Sequence, residues 1–490
     1  MKAEVFKRTP VVSVTCDRGL SYPEPGEYFS PDQAFPEYQL AQIAKKPNAV
    51  YSAVRRCLAE AGLDVENFGK ATWNPLRYYI KPGQKVFILC NFVKQNIRRD
   101  PRAMLAKCTH GSVVRAVIDY VLLALEGRGS VCFGNAPLQS ADWSRVVQET
   151  GAHSVEEFYA RHYTSDVSVR LVDLRQHIVH LNALGMFESL YHGDDTKFCV
   201  PVNLGRDSLL DEFYKSGEDP KFRVLDYDPH RIEGCHSNGR HTYLINKLIL
   251  ESDTVISIPK LKTHEKVGLT CGIKGCVGAV GHKDCLAHHR LGPPHAGGDE
   301  FPDRLAFLSP LSHLHDAVYG RRPGSSQRAL SVLNNFSRKA VRRFTRALSG
   351  AWPGNDTCWR MAVDLARIVE YASEQGQLRS QKQRAHIMLT DGIVAGEGDG
   401  PLSPLPVPLG YLSFADNVAV GDYVNCLAVG FDPDKIPMIR EAFRLRKYRL
   451  AESLDGDLRV QLNGRSAQVE NVGGTLGRKF LPPREWRRYL

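Results

Sequence analysis

The alternation of apolar and polar positions divides the chain into short buried strands and amphipathic helices. VVSVTC reads as a strand, and AVYSAVRRCLAEAGL, with apolar residues at helical spacing and a closing glycine, predicts a helix. KPGQKVFILCNFV opens on a Pro-Gly turn and continues as an apolar run, which predicts a buried strand from Lys85 to about Cys90 with Asn91 at its exit. CTHGSVVRAVIDYVLLALEGRGSVCFGNAP then predicts a helix from about Ser112 to Leu125, capped by Thr109, and a second strand. Strand, helix and strand in so short a span form a parallel α/β unit. Residues 140–252 alternate helical and strand-like patterns without a sharp signature. Beyond them DTVISIP predicts a buried strand closed by proline, and GNDTCWRMAVDLARIVEYA a capped helix. RAHIMLTDGIVAGEGDGPLSP predicts a strand ending at Asp391 in a glycine-rich loop, and the next strand leads into a helix starting near Asp422. The tail, FLPPREWRRYL, reads as a strap across the surface.

These elements predict an α/β fold with mainly parallel sheets flanked by helices, and active-site loops at strand carboxyl ends. A length of 490 residues is too great for one compact core, so two domains are expected. The first, 1–315, carries a segment rich in lysine, histidine and glycine, and the second, 316–490, carries a basic helical insertion at about 321–350 and the surface tail.

That segment, residues 253–304, is where reactive side chains concentrate: DTVISIPKLKTHEKVGLTCGIKGCVGAVGHKDCLAHHRLGPPHAGGDEFPDR. Lys260, Lys262, Thr263 and His264 follow the end of a strand, where open α/β sheets bind ligands. Glycines at 268, 272, 275, 278 and 281 break any long helix and let backbone approach closely. Lys260, Lys262, Thr263, Arg290 and Asn91 are candidates for binding an anionic substrate. His288 and His289, with Asp391 and Glu397 on the later glycine-rich loop, are candidate ligands for a divalent metal ion. His110, at the start of a predicted helix, would be held neutral by the helix dipole and so suits a proton acceptor. His236 and His241 read as structural.

Composition is that of a globular protein, 43% apolar and 24% charged. No run is long enough to span a membrane and the N-terminal stretch lacks the pattern of a secretory signal, so the expected compartment is the cytoplasm and the twelve cysteines are expected as thiols. Cys271, Cys276 and Cys285 match no ferredoxin spacing, which argues against an iron–sulfur cluster. The glycines at 392, 396, 398 and 400 do not make a dinucleotide fingerprint, so no nicotinamide cofactor is expected. The net charge of +10 is uneven: Arg321 to Arg346 holds seven arginines and one lysine without an acidic residue. Leu330, Leu333, Phe336, Val341, Phe344 and Leu348 recur there at roughly helical spacing, which predicts a basic amphipathic helix, either packed on its own domain or in peripheral contact with a membrane or acidic partner. No motif for reading a specific nucleic acid accompanies it.

Six blocks, among them THGSVVRAVIDYVLLAL, PKLKTHEKVGLTCGIKGCVGAVGHKD and DGIVAGEGDGP, resemble the uncharacterised domain family numbered 362 over about Lys81 to Pro437. The chain departs from that family's pattern where ILCN and GNAP stand for IKPN and GDAP, so Leu89 and Asn135 replace a lysine and an aspartate. A more distant similarity is to the nickel-pincer lactate racemase family, in which a histidine precedes a cofactor-anchoring lysine by nine intervening residues. His264 and Lys274 have that spacing. The resemblance implies His110 and His264 as two acid/base groups facing each other across the substrate, with Lys274 anchoring or stabilising charge.

The expected function is therefore an enzyme of isomerase or lyase type that moves a proton, or eliminates a group, next to a carboxylate or carbonyl of a small anionic or polar substrate. The alternatives are a metal- or cluster-binding carrier, and a scaffold or surface-associated protein acting through the basic helix.

Overall fold

The computed structural model describes every residue except 1–9, 25, 41, 97–99, 182–186, 192–197, 216, 218, 225–228, 320–324, 453–457 and 475. Arg321 and Arg322 of the basic segment, and the N-terminal stretch read for a signal, lie outside the described residues. An eleven-stranded sheet forms the frame. Its strands in chain order are β1 (Val12–Cys16), β2 (Lys85–Cys90), β3 (Ser130–Asn135), β4 (Ser168–Asp173), β5 (Thr254–Ile258), β6 (Lys260–His264), β7 (Gly268–Thr270), β8 (Ala385–Glu397), β9 (Leu405–Ala415), β10 (Arg459–Leu462) and β11 (Arg465–Gln468). The spatial order is β11-β10-β1-β9-β8-β5-β2-β3-β4, with β6 beside β8 and β7 beside β6.

Five neighbouring strands, β8, β5, β2, β3 and β4, run parallel. Alternation along β2 explains why these strands read as unbroken apolar runs, since both faces are covered. Val86 and Ile88 belong to a core shared with α1 (Ala49–Glu60) and α2 (Gly111–Leu125). Phe87 and Leu89 belong to the opposite core, built with α4 (Cys358–Tyr371) and α5 (Val418–Ala428). Between these in sequence lies α3 (Ser325–Val341), the basic helix. Among the described residues no helix is long and apolar enough to cross a membrane.

The sheet crosses the domain boundary expected at 315/316, because β8 pairs with β5 and β9 pairs with β1. Other boundaries shift by a few residues. β8 runs past Asp391 to Glu397, and α5 begins at Val418, where Asn417 Oδ1 accepts from the N–H groups of Ala419 and Val420. The cap of α2 is His110 rather than Thr109: its Nδ1 accepts from Ser112 N at 3.2 Å. Thr109 instead donates to Ile258 O at 2.6 Å and accepts from Asn91 N at 2.9 Å, tying the exits of β5 and β2 together. From β2 the chain moves one way, to β3 and β4, and then returns to β5 on the other side of β2. The reversal opens a crevice between the carboxyl ends of β2 and β5, which is where α/β sheets bind ligands.

Candidate functional site: a cationic cavity at the strand ends

A cavity of about 560 Å³ occupies that crevice. Asn91 enters from the exit of β2, Asn135 from the end of β3, and Lys262 and His264 from β6. Lys266, Lys274 and Lys283 follow along the same segment, and Lys94 and Lys107 line the β2 side. Arg338, Lys339 and Arg342 come from α3 and the turn after it. Against these nine lysines and arginines Glu265 is the one carboxylate among the described residues of the wall. A cavity of this size and sign suits a small molecule carrying more than one negative charge.

Local structure accounts for the aim of each group. On a strand, alternate residues share a face, so Lys262 and His264 point together. A register shift in the pairing of β6 with β8 falls between Lys260 and Lys262 and separates their surroundings. Lys262 Nζ donates to Asn91 Oδ1 and to the Lys107 carbonyl. Lys266 donates to the Ser349 carbonyl, and Lys283 to the Val277 carbonyl at 2.6 Å. Lys274 is 7% exposed and makes no hydrogen bond or ion pair with the described residues. It sits in a single helical turn, Gly272–Gly275, whose first N–H groups are accepted by the Asp422 carboxylate of α5 at 2.6 and 2.9 Å. Burial lifts that carboxyl to about 7.

Packing cations together away from water disfavours their charged forms. Burial, with Lys260 and Lys107 nearby, draws Lys262 down to about 7. Lys274 and Lys266 are also lowered, chiefly by burial. His264 and His288 are held well below the usual histidine range, first by burial and then by Lys274 and Lys266. Neutral bases thus stand among cations in one cavity.

Of the residues expected from sequence, Asn91, Lys262, His264, Lys274 and His288 line the cavity, and the others do not. Lys260 is fully buried in an ion pair with Asp391, Nζ to Oδ2 2.7 Å, and donates to the Tyr22 hydroxyl at 2.6 Å. His110 belongs to that cluster. Its ring stacks on Tyr22 at 4.1 Å and its N–H donates to Asp391 Oδ2 at 3.0 Å. Burial and Lys260 hold His110 at about 3. His110 and His264 therefore do not meet across this cavity. Thr263 is turned to the Gly398 carbonyl at 2.7 Å, and Arg290 to Asp299 at 3.5 Å with its guanidinium 3.8 Å over the Phe213 ring.

The expected metal set is also dispersed. Asp391 is held by Lys260 and Tyr22, Glu397 accepts from Arg478 and from Leu481 N, and buried His289 lies in a two-residue strand paired with Arg223. Lys266, Lys283, Arg338 and Asn135 were not among the expected binding residues. The alternation K-x-K-x-H-x-K over 260–266 was the available signal for Lys266. No local pattern announces Arg338. The basic segment buries both kinds of residue: Ser331, Asn334 and Arg338 are buried and Leu348 with them, while Leu333, Phe336 and Phe344 are exposed beside Arg342, Arg343 and Arg346. The reason is the wall it completes, where Arg338 donates to Ser349 Oγ and Asn334 meets His315 Nδ1 at 3.1 Å.

The two departures from the family pattern are neighbours. A Cβ on Gly278 would lie 3.2 Å from Asn135 Nδ2 and 3.4 Å from Leu89 Cδ1, so both side chains abut the same glycine. Asn135 Nδ2 donates to Phe92 O at 2.9 Å, and its buried Oδ1 has no partner among the described residues.

A mixed, mainly parallel sheet with helices on both faces, and a cationic cavity at its topological reversal, defines an α/β protein. Residues 213–426 match the family model described as Domain of unknown function (DUF362). The match includes all of 253–304 and is narrower than the resemblance read over 81–437. No curated protein matches the chain significantly. A crystal structure of a Thermotoga maritima protein, a Northeast Structural Genomics Consortium target, is similar at 10% identity and a TM-score of 0.28, over 73% of this chain and 54% of that one. The chain thus spans about half of that protein's length. Nothing in these comparisons supports the racemase similarity.

Proposed function

We propose that the cavity binds a small, multiply charged anion and catalyses proton transfer or elimination next to its carboxylate or carbonyl group. The observation that carries this reading is the cationic wall holding neutral bases: Lys262 at about 7 and His264 well below its usual range, beside Lys274 and Lys266. A proton-transfer group works best when its pKa is near the operating pH, which favours Lys262, protonated once the anion binds, as the proton donor and neutral His264 as the base. Lys274 and Lys266 stabilise charge that develops on the substrate oxygen, and Asn135 Oδ1 accepts a hydrogen bond from the substrate.

The test is proton exchange in heavy water with a panel of small dicarboxylates and phosphorylated acids, read by loss of C–H signal in NMR. Exchange at one carbon is expected in the wild type and lost in His264→Ala and Lys262→Met at an unchanged melting temperature. Folded variants with full activity would sink the assignment. A second reading rests on the exposed Phe336 and Phe344 beside exposed Arg342, Arg343 and Arg346, which favour peripheral contact with an anionic membrane surface. Sedimentation with anionic vesicles at low and high salt tests it, and no binding at low salt ends it.

A further inference from the structure

His282 and Asp284 flank Lys283, yet neither lines the cavity that Lys283 reaches. They sit against another segment, the start of the strand His177–Leu181, which follows the end of β4. Backbone fastens the two pieces: Gln176 N donates to Gly281 O at 3.0 Å. Glycine is required at 281, because a Cβ there would lie 2.3 Å from Cys199 Sγ and 3.0 Å from Leu174 O.

The docking brings three ligand-type side chains together. The rings of His177 and His282 stack with centroids 4.8 Å apart and planes 26° from parallel. Asp284 Oδ2 is 3.9 Å from Nδ1 of each histidine. One ligand atom from each of the three lies within 4.8 Å of the other two, and all three residues are buried, His282 completely. Metal bonds of about 2.0–2.2 Å place two ligand atoms of one ion up to about 4 Å apart, so small side-chain rotations close the triad around an ion. The Gln139 amide nitrogen, 2.9 Å from His177 Nδ1, fixes the orientation of that ring.

We propose that His177, His282 and Asp284 form a binding site for a divalent first-row transition metal ion. Two imidazoles and a carboxylate select zinc, iron or nickel over magnesium and calcium, which prefer all-oxygen shells. Three protein ligands leave coordination open for water or another small ligand, as catalytic sites do and closed structural sites do not. Lys283 joins this site to the cavity wall, so an ion bound here sets the position of one cavity cation. The inference goes beyond the anion-binding reading and does not require it.

The experiment uses the full-length chain, stripped with chelator and titrated with zinc by calorimetry. One ion per chain is expected, with binding weakened about 100-fold in His282→Asn and in Asp284→Asn. His288→Ala, altered in the cavity, keeps wild-type zinc affinity. Absence of zinc binding by the folded wild type, or wild-type affinity in both folded variants, overturns the proposal. Should the variants fail to fold, zinc K-edge absorption of the loaded wild type decides: nitrogen and oxygen neighbours support the site. A sulfur-dominated shell overturns it. Anion binding is followed separately, so failure of either assignment is seen independently.

Discussion

Lys260 and Asp391 face each other across the pairing of β6 with β8 as a fully buried ion pair, 2.7 Å from nitrogen to oxygen, closed by the Tyr22 hydroxyl. Removing one partner strands a charge in a place water does not reach. Asp391→Ala is expected to cost about 3–5 kcal/mol of folding stability, while Lys260→Met with Asp391→Leu recovers most of it. Urea unfolding of the two variants checks this, and a mild effect of the single change would show the pair to be uncoupled.

Lys274 shows the opposite behaviour. Its amine is buried without a counter-ion among the described residues, which opposes folding and favours anion binding. Lys274→Met is expected to stabilise the protein by roughly 1 kcal/mol and to weaken anion binding at least about tenfold. Thermal unfolding and ligand titration on the same sample separate the two effects.

Anion binding should draw protons from solution. The free protein holds Lys262 near 7, so at pH 8 it is mostly deprotonated, and a bound anion raises it toward the ordinary lysine value. Uptake of about one proton is expected at pH 8 and less at pH 6, measured by calorimetry in buffers of different ionisation enthalpy. The same group affects folding: between about pH 7 and 10 the unfolded chain carries a proton that the folded chain has released, so its contribution to stability rises with pH.

Leu89 and Asn135 offer a cycle of substitutions at one contact. Leu89→Lys alone places an unpaired charge in the core beneath Gly278 and is expected to cost more than about 3 kcal/mol. Adding Asn135→Asp supplies a counter-ion and should recover over half of that loss. Additive effects in denaturant unfolding would show that the two positions do not communicate.

Periodicity located the central parallel strands because they are buried on both faces, and Lys85–Cys90 and Thr254–Ile258 form where continuous apolar runs predict them, while the edge strand Ser168–Asp173, only partly buried, carried no such run. It also pointed to the segment that lines much of the cavity, since reactive side chains just past a strand end are a local signal. What it missed depends on contacts distant in sequence. Asp391 is claimed by Lys260, 131 positions away, and Lys266 by Ser349, 83 positions away. The burial of Arg338 in the basic helix is decided by a cavity it helps to make, which apolar spacing does not announce. Likewise His177 and His282 become neighbours only through the close approach at Gly281.

The place of β1 in the sheet bears on how the chain is made. This N-terminal strand pairs with β9 on one side and β10 on the other, and Val11 N donates to Asp416 Oδ1 across 405 positions. On the ribosome, VSVTC therefore has no edge to join until the partner strand that ends at Ala415, some 400 positions later, has been synthesised. Closure of the sheet is a late, slow event of high contact order, and the nascent chain carries an unpaired apolar strand that invites chaperone capture or aggregation meanwhile.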